Sequence, residues 1–295
     1  MSVSPRVVVV RRNTEYDELV ARHGTHGQVE FFLSTRGQAL GEVERRALAV
    51  REALDAVGAA IPLDWRRGVV ERGDLTRFLF TPDDVVVVVG QDGLVANVAK
   101  YLHGQPVIGV NPDPVVNAGL LCRHRPQDVA ELLRAAVAGT AAHEPRAMVQ
   151  VRADDGQTLT ALNEVYVGHV SHQTSRYLLR VGGEPELQAS SGVVVGTGTG
   201  ATGWCRSLWQ QRHEPFQLPA PTEPSLAWFV REVWPSPTTR TTQTSGRLDS
   251  GLLELEVQSE GMVAFGDGME TDRMELRWGQ RVAVSLAERV LRLAG

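Results

Sequence analysis

Asp83-Asp84-Val85-Val86-Val87-Val88-Val89-Gly90-Gln91-Asp92-Gly93-Leu94 is the stretch that decides the fold. Its five consecutive valines show neither helical spacing nor alternation with polar residues. A strand apolar on both sides suits a parallel sheet that is covered on both faces. The run ends in a Gly-x-Asp-Gly turn and a helical stretch reaching about Leu102. Upstream, residues 7–10 are a second all-valine strand. Thr14 with Asp17 then opens a helix that Gly24 closes. Val43, Ala47, Leu48, Val50, Leu54 and Val57 recur at helical spacing opposite a charged face. Downstream, 106–110 reads as a strand and 127–138 as a helix. Alternating strands and helices specify an open α/β sheet.

Past residue 146 the pattern changes to short β-rich segments, at 148–152, 158–162, 165–170, 177–181, 193–195, 252–257, 263–265 and 282–286. The chain is therefore expected to form an α/β domain over 1–145 and a β-rich, sandwich-like domain over 146–295, with the last segment returning to the first. The Pro-rich stretch 217–225 is expected as a surface loop or flap.

The chain has 295 residues, with 30 Lys+Arg against 35 Asp+Glu and a net charge of −5. That balance argues against a nucleic-acid or membrane-surface partner. The one lysine, Lys100, follows Ala99 and precedes Tyr101, so no G-x-x-x-x-G-K-[ST] phosphate loop exists. Lys100 is expected on the solvated surface. Two cysteines, Cys122 and Cys205, suit buried free thiols in a reducing compartment. No apolar run approaches the ~20 residues of a membrane span. A cytoplasmic protein is expected.

Three segments carry chemistry. Glycines flanking Asp92 let backbone N–H groups approach a polyanion at the end of a parallel strand, where open α/β sheets bind ligands. An aspartate there suits a base on an attacking hydroxyl or a partner for Mg²⁺. A plain Asp-Gly turn is the competing reading. The second segment, 193–204, holds a literal G-x-G-x-x-G at Gly198, Gly200 and Gly203. No βαβ unit surrounds it, and the next acid, Glu223, lies in the Pro-rich loop, so a dehydrogenase fingerprint is rejected. The glycines and hydroxyls remain suited to lining a nucleotide, with Trp204 stacking on a ring. Third, Asn163-Glu164 offers an amide and a carboxylate for ribose hydroxyls, or a solvated turn. His169 and His172 have H-x-x-H spacing but no further ligands at metal-site spacing, so no metal site is expected.

In order and spacing these segments resemble the NAD kinases. That family is marked by a G-G-D-G-T loop, a P-x-I-G-x-N strand, an Asn-Glu pair and a D-G-x-x-x-x-T-P-T-G-S-T-A-Y segment. The counterparts here are Gly90 to Leu94, Pro106 to Asn111, Asn163-Glu164 and Ser191 to Trp204, with a weaker echo at Asp267-Gly268. Asn111-Pro112-Asp113-Pro114 and the Gly/Trp form of the threonine loop look most like the mitochondrial-type branch. The resemblance implies a Rossmann-like α/β domain and a β-rich domain, NAD and ATP as substrates, Mg²⁺ bridging the ATP oxygens, and a homodimer or homotetramer. It implies that Asp92 takes the proton of the adenosine 2′-hydroxyl as it attacks the γ-phosphate. Gly93, Asn163, Glu164, Ser191, Thr202, Gly203, Trp204 and Ser207 would bind NAD. Gly90, Gln91, Leu94 and Asn111 would form the phosphate-donor loop.

The sequence departs from the family at four of these places. Gln91 replaces a glycine, Leu94 a threonine, Ser191 an aspartate and Ala201 a serine. Gln91 adds a side chain where triphosphate approaches, and Leu94 is expected to present an apolar chain to the phosphates. The donor side is changed more than the dinucleotide side. A kinase of another hydroxyl compound, such as a nucleoside or sugar, and a non-catalytic nucleotide sensor are the alternatives.

Overall fold

The computed structural model describes residues 4–295 and divides into two units. One runs to Glu144 and takes back Arg292–Gly295; the other is Pro145–Leu291. The first three residues of the expected first domain lie outside the described residues.

In the first unit the valine strand is Asp84–Val89, buried throughout. It pairs in parallel with Arg6–Arg11 on one side and Pro106–Val110 on the other. Arg66–Glu71 extends the sheet beyond Arg6–Arg11, and Leu291–Ala294 pairs in parallel with Pro106–Val110. Alternation along the strands decides which valine meets which helix. Val85, Val87 and Val89 pack with Val7, Val9 and Ile108 against Ala53 and Val57 of the Leu40–Ala60 helix and Val129 and Leu133 of the Val129–Ala138 helix. The helix Asp92–Ala99 packs against Arg6–Arg11 and Pro106–Val110. Thr14 caps the Glu15–His23 helix through a reciprocal bond with Asp17, and Gly24 ends it at φ 88°.

From Leu94 to Ala99 the Asp92–Ala99 helix is buried on every side. Its C-cap is Lys100, which is only 7 % exposed, with the ammonium 5.5 Å from the Tyr101 ring centre. The expectation of a solvated lysine was wrong. A helix covered all round carries its cap inside with it.

The second unit is two six-stranded sheets whose recorded pairings are all antiparallel. They enclose one core: Val149, Val151, Tyr177, Leu179, Leu255 and Val284 from one sheet meet Val165, Val167, Val193, Val195, Trp228 and Ala264 from the other. The intervening residues Tyr166, Val194, Phe229 and Val263 face outward, packing with Cys205, Leu208 and Trp209 of the Trp204–Arg212 helix. Period-two alternation in strands buried on both faces produces this layering. The Pro-rich stretch is no free flap. Ala220 N–H donates to Glu223 at 2.9 Å, Arg247 holds the same carboxylate, and Ser225 donates to Asp249 at 2.7 Å.

Close backbone approach explains two glycines. A Cβ on Gly109 would stand 2.1 Å from the Leu121 carbonyl oxygen, and one on Gly198 1.8 Å from that of Ala220. Nothing lies within 4 Å of a Cβ on Gly41. Gly109→Ala is expected to destabilise by about 3 kcal/mol, the upper end for overpacking, because backbone cannot yield as a side chain does. Gly41→Ala is expected to add roughly 0.5–1 kcal/mol as helix propensity dictates. Thermal unfolding of both variants checks the pair; equal shifts would refute the packing account.

Candidate functional site

The first unit's candidate residues gather where Asp84–Val89 ends. Gly90 takes φ 156°, and a Cβ there would meet the Leu94 side chain at 3.3 Å. Gln91 is the N-cap of the Asp92–Ala99 helix, exposed and making no side-chain cap bond. Gly93 is exposed, with open space around it. Leu94 is 5 % exposed and belongs to the core. Its side chain lies against Gly90 of the loop from beneath and is withdrawn from solvent, because the third helical position of this buried helix turns inward.

Asp92 accepts three backbone N–H bonds from one loop. Leu120 N–H donates to Oδ2 at 2.9 Å, and Leu121 and Cys122 N–H donate to Oδ1 at 2.9 and 2.8 Å. A carboxylate offers about four lone-pair sites, so one remains, on Oδ2. That loop is itself tied down. Asn111, 6 % exposed, donates through Nδ2 to the Asn117 carbonyl at 3.1 Å and accepts from Asp113 N–H at 3.1 Å. Arg45 donates to Asp113 at 2.9 Å. Both ends of the Asn111 amide thus help to close the loop. Arg45 and Asp113 were not singled out as site residues, since an ion pair 68 residues apart leaves no local signature.

The second unit builds a corner around Asn163-Glu164. Asp267, at φ 54°, accepts from Leu162 N–H at 2.9 Å and Asn163 N–H at 2.7 Å. Thr197 donates to the Leu162 carbonyl at 2.6 Å and accepts from Thr199 and Gly200 N–H at 3.1 and 3.3 Å. Gly200 carries no Cβ because one would lie 2.2 Å from the Asn163 carbonyl oxygen. The Asn163 and Glu164 side chains are half-buried beside this frame. Glu164 lies in a dry setting, and burial first, then the neighbouring Asp267 charge, pushes its carboxyl up to about 7.

The glycine–threonine loop leads into the Trp204–Arg212 helix. Thr202, Gly203 and Ser207 are exposed and Trp204 is half-buried. The Thr202 hydroxyl donates to the Thr199 carbonyl at 3.0 Å, so part of its bonding capacity serves the loop. Ser191 is half-buried; its carbonyl accepts from the Tyr166 hydroxyl at 3.0 Å. The strand before the loop, Val193–Thr197, is antiparallel to both neighbours, which rules out a βαβ unit. Burial pushes both thiols, Cys122 and Cys205, far up, so neither is a thiolate nucleophile at neutral pH. His169 Nδ1 accepts from Ser171 N–H at 3.0 Å. Among the described residues no three His, Cys, Asp or Glu side chains are grouped to hold a metal, and no helix is long and apolar enough to cross a membrane.

No protein-family model matches the chain. Over 142 residues it is 25 % identical to the NAD kinase of Chlorobaculum tepidum, a match spanning 46 % of this chain and 47 % of that protein, about half its length. The structure is similar to yeast NADH kinase complexed with NADH, at TM-score 0.59 and 12 % identity, over 100 % of this chain and 84 % of that one. It is also similar to an NAD kinase from Archaeoglobus fulgidus in complex with ATP, at TM-score 0.56 and 20 % identity, over 98 % and 93 %. The likeness establishes the fold: an α/β domain followed by a β-rich domain, as in those kinases.

Two outcomes are expected from these clusters. Asp92→Asn turns an amide N–H₂ toward at least one backbone donor, so it loosens the 120–122 loop as well as removing a charge. A loss of roughly 1–3 kcal/mol follows, with faster hydrogen exchange at Leu120, Leu121 and Cys122; wild-type protection there would refute the clamp. The raised Glu164 carboxyl means that the folded state holds its proton up to about pH 7, whereas the unfolded state releases it near 4.5. Stability that Glu164 contributes below pH 4.5 is lost as pH rises to 7. Glu164→Gln should remove that decline and exceed wild type in melting temperature above pH 7, measured from pH 4 to 9.

Proposed function

We propose that the protein is an NAD kinase, transferring the γ-phosphoryl group of ATP to the adenosine 2′-hydroxyl of NAD. The observation that carries the proposal is the order of four motifs, each at a structured corner, in a chain with the fold of NAD and NADH kinases. Asp92 would act as the base. Its remaining Oδ2 lone pair accepts the hydroxyl proton while the oxygen–phosphorus bond forms and the bond to the ADP leaving group breaks. Three N–H donors hold the carboxylate in one orientation, which is the positioning that phosphoryl transfer requires. Gly90 and Gly93 leave the backbone open beside it. Asn163 and Glu164 would take ribose hydroxyls, and Ser191, Thr202, Gly203, Trp204 and Ser207 would line the dinucleotide pocket. Gln91 is the donor-loop side chain free to meet phosphate, whereas Leu94 and Asn111 serve the core and the loop.

Mg²⁺ enters as part of the Mg-ATP substrate, held by phosphate oxygens and water, which fits a unit whose Asp92 has one lone pair left. The Gly/Trp threonine loop and Asn111-Pro112-Asp113-Pro114 favour the mitochondrial-type branch within the family. A homodimer or homotetramer in the cytoplasm completes the proposal; light scattering of the purified chain reads the assembly.

Incubation with Mg-ATP and either NAD or NADH, followed by an NADP(H)-specific dehydrogenase assay, tests the activity. Product from NAD, lost by at least ~10³-fold in Asp92→Asn, is expected for removal of a base at the reacting hydroxyl. No product from either dinucleotide, alongside ATP consumption with a nucleoside or sugar, would transfer the proposal to that acceptor. Tight NAD binding with no turnover would make the protein a sensor.

A further inference from the structure

Arg231 follows the Leu226–Val230 strand and belongs to none of the motifs. Its guanidinium lies 5.3 Å from the centre of the Trp204 ring. Trp204 stacks on Tyr166 at 6.2 Å and 19°, and Tyr166 packs against Phe265 at 5.0 Å. Tyr166 is locked in place. Its one hydroxyl proton is shared between the His169 and Ser191 carbonyls at 3.2 and 3.0 Å, and the side chain fills the space left by Gly168 and Gly192, where a Cβ would stand 2.2 Å from the hydroxyl oxygen and 2.6 Å from the ring. Ser191 N–H donates to the Arg231 carbonyl at 2.9 Å, joining the two ends. Glu164 precedes Tyr166 by two residues in the strand Glu164–His169, so strand alternation puts both side chains on the same outer face.

One outer face of the second unit therefore carries a carboxylate, an aromatic cluster of which Trp204 and Phe265 are half-buried and Tyr166 is buried, and a guanidinium. A ring stacks on the aromatic part, a hydroxyl donates to the carboxylate, and an anion pairs with the guanidinium. A nucleoside phosphate carries all three. Charge accounting favours a ligand at Arg231. Its ion-pair partner is Glu232 at 3.3 Å, a side chain 59 % exposed, and such surface pairs are weak.

We propose that Arg231 binds the pyrophosphate of the dinucleotide and is the phosphate anchor of the second unit. The identity of that ligand rests on the kinase proposal; the recognition of phosphate by a guanidinium does not.

Calorimetric titration of the full chain with NAD and with phosphate-free adenosine, in wild type, Arg231→Gln and Arg231→Lys, tests the assignment. Arg231→Gln should weaken NAD binding by roughly ten- to a hundredfold and leave adenosine unchanged, with Arg231→Lys recovering part of the loss. Raising the salt concentration should weaken NAD binding to wild type but not adenosine binding, a result that needs no variant to fold. Equal losses for both ligands would show that Arg231 only supports Trp204, and no loss for either would show that it does nothing there; both overturn the assignment. Wild type binding adenosine as tightly as NAD would overturn Arg231 alone. Wild type binding neither would remove the kinase proposal as well.

Discussion

The carboxylate of Asp92 stands in the first turn of a buried helix and accepts three N–H bonds from residues 120–122. Much of the first unit converges on those contacts. The valine strand delivers the helix, Gly90 allows the turn between them, and Gly109 lets Leu121 approach the neighbouring strand. Arg45, from a distant helix, holds Asp113 in the same loop. Backbone amides hold such a carboxylate in one orientation, because donors fixed in the main chain cannot follow it if it turns.

The second unit solves a similar problem with different parts. Its Asn163-Glu164 corner is pinned by the Asp267 carboxylate and the Thr197 hydroxyl, and the glycines of the threonine loop bring backbone against backbone. Holding the corner beside Asp267 carries an electrostatic cost. Glu164 is pushed up to about 7, so both of its protonation states are populated in the range where most proteins work. The same outer face extends to Arg231, which joins a charged end to an aromatic cluster.

Lysine scarcity now has a structural meaning. With Lys100 buried at a helix end, the proposed kinase activity would leave phosphate recognition to glycine-loop amides, a helix N-terminus and arginine. Arginine suits that task because its planar fork matches phosphate oxygens.

The valine run, the capping pair Thr14 and Asp17, and the β-rich second half were legible in the sequence, because strand burial and helix caps are local and write themselves into neighbouring residues. The turn at Gly90 was legible for the same reason, whereas Gly109, Gly198 and Gly200 answer to backbone that approaches from elsewhere in the chain. Tertiary structure alone decided what those residues do there. It turned Leu94 inward, committed Asn111 to its own loop, buried Lys100, pinned the Pro-rich stretch, and brought Arg45 to Asp113 and Asp267 to Asn163. Hydrogen bonds and burial act over ångströms in space, whatever the separation along the chain, so no local pattern could have recorded them.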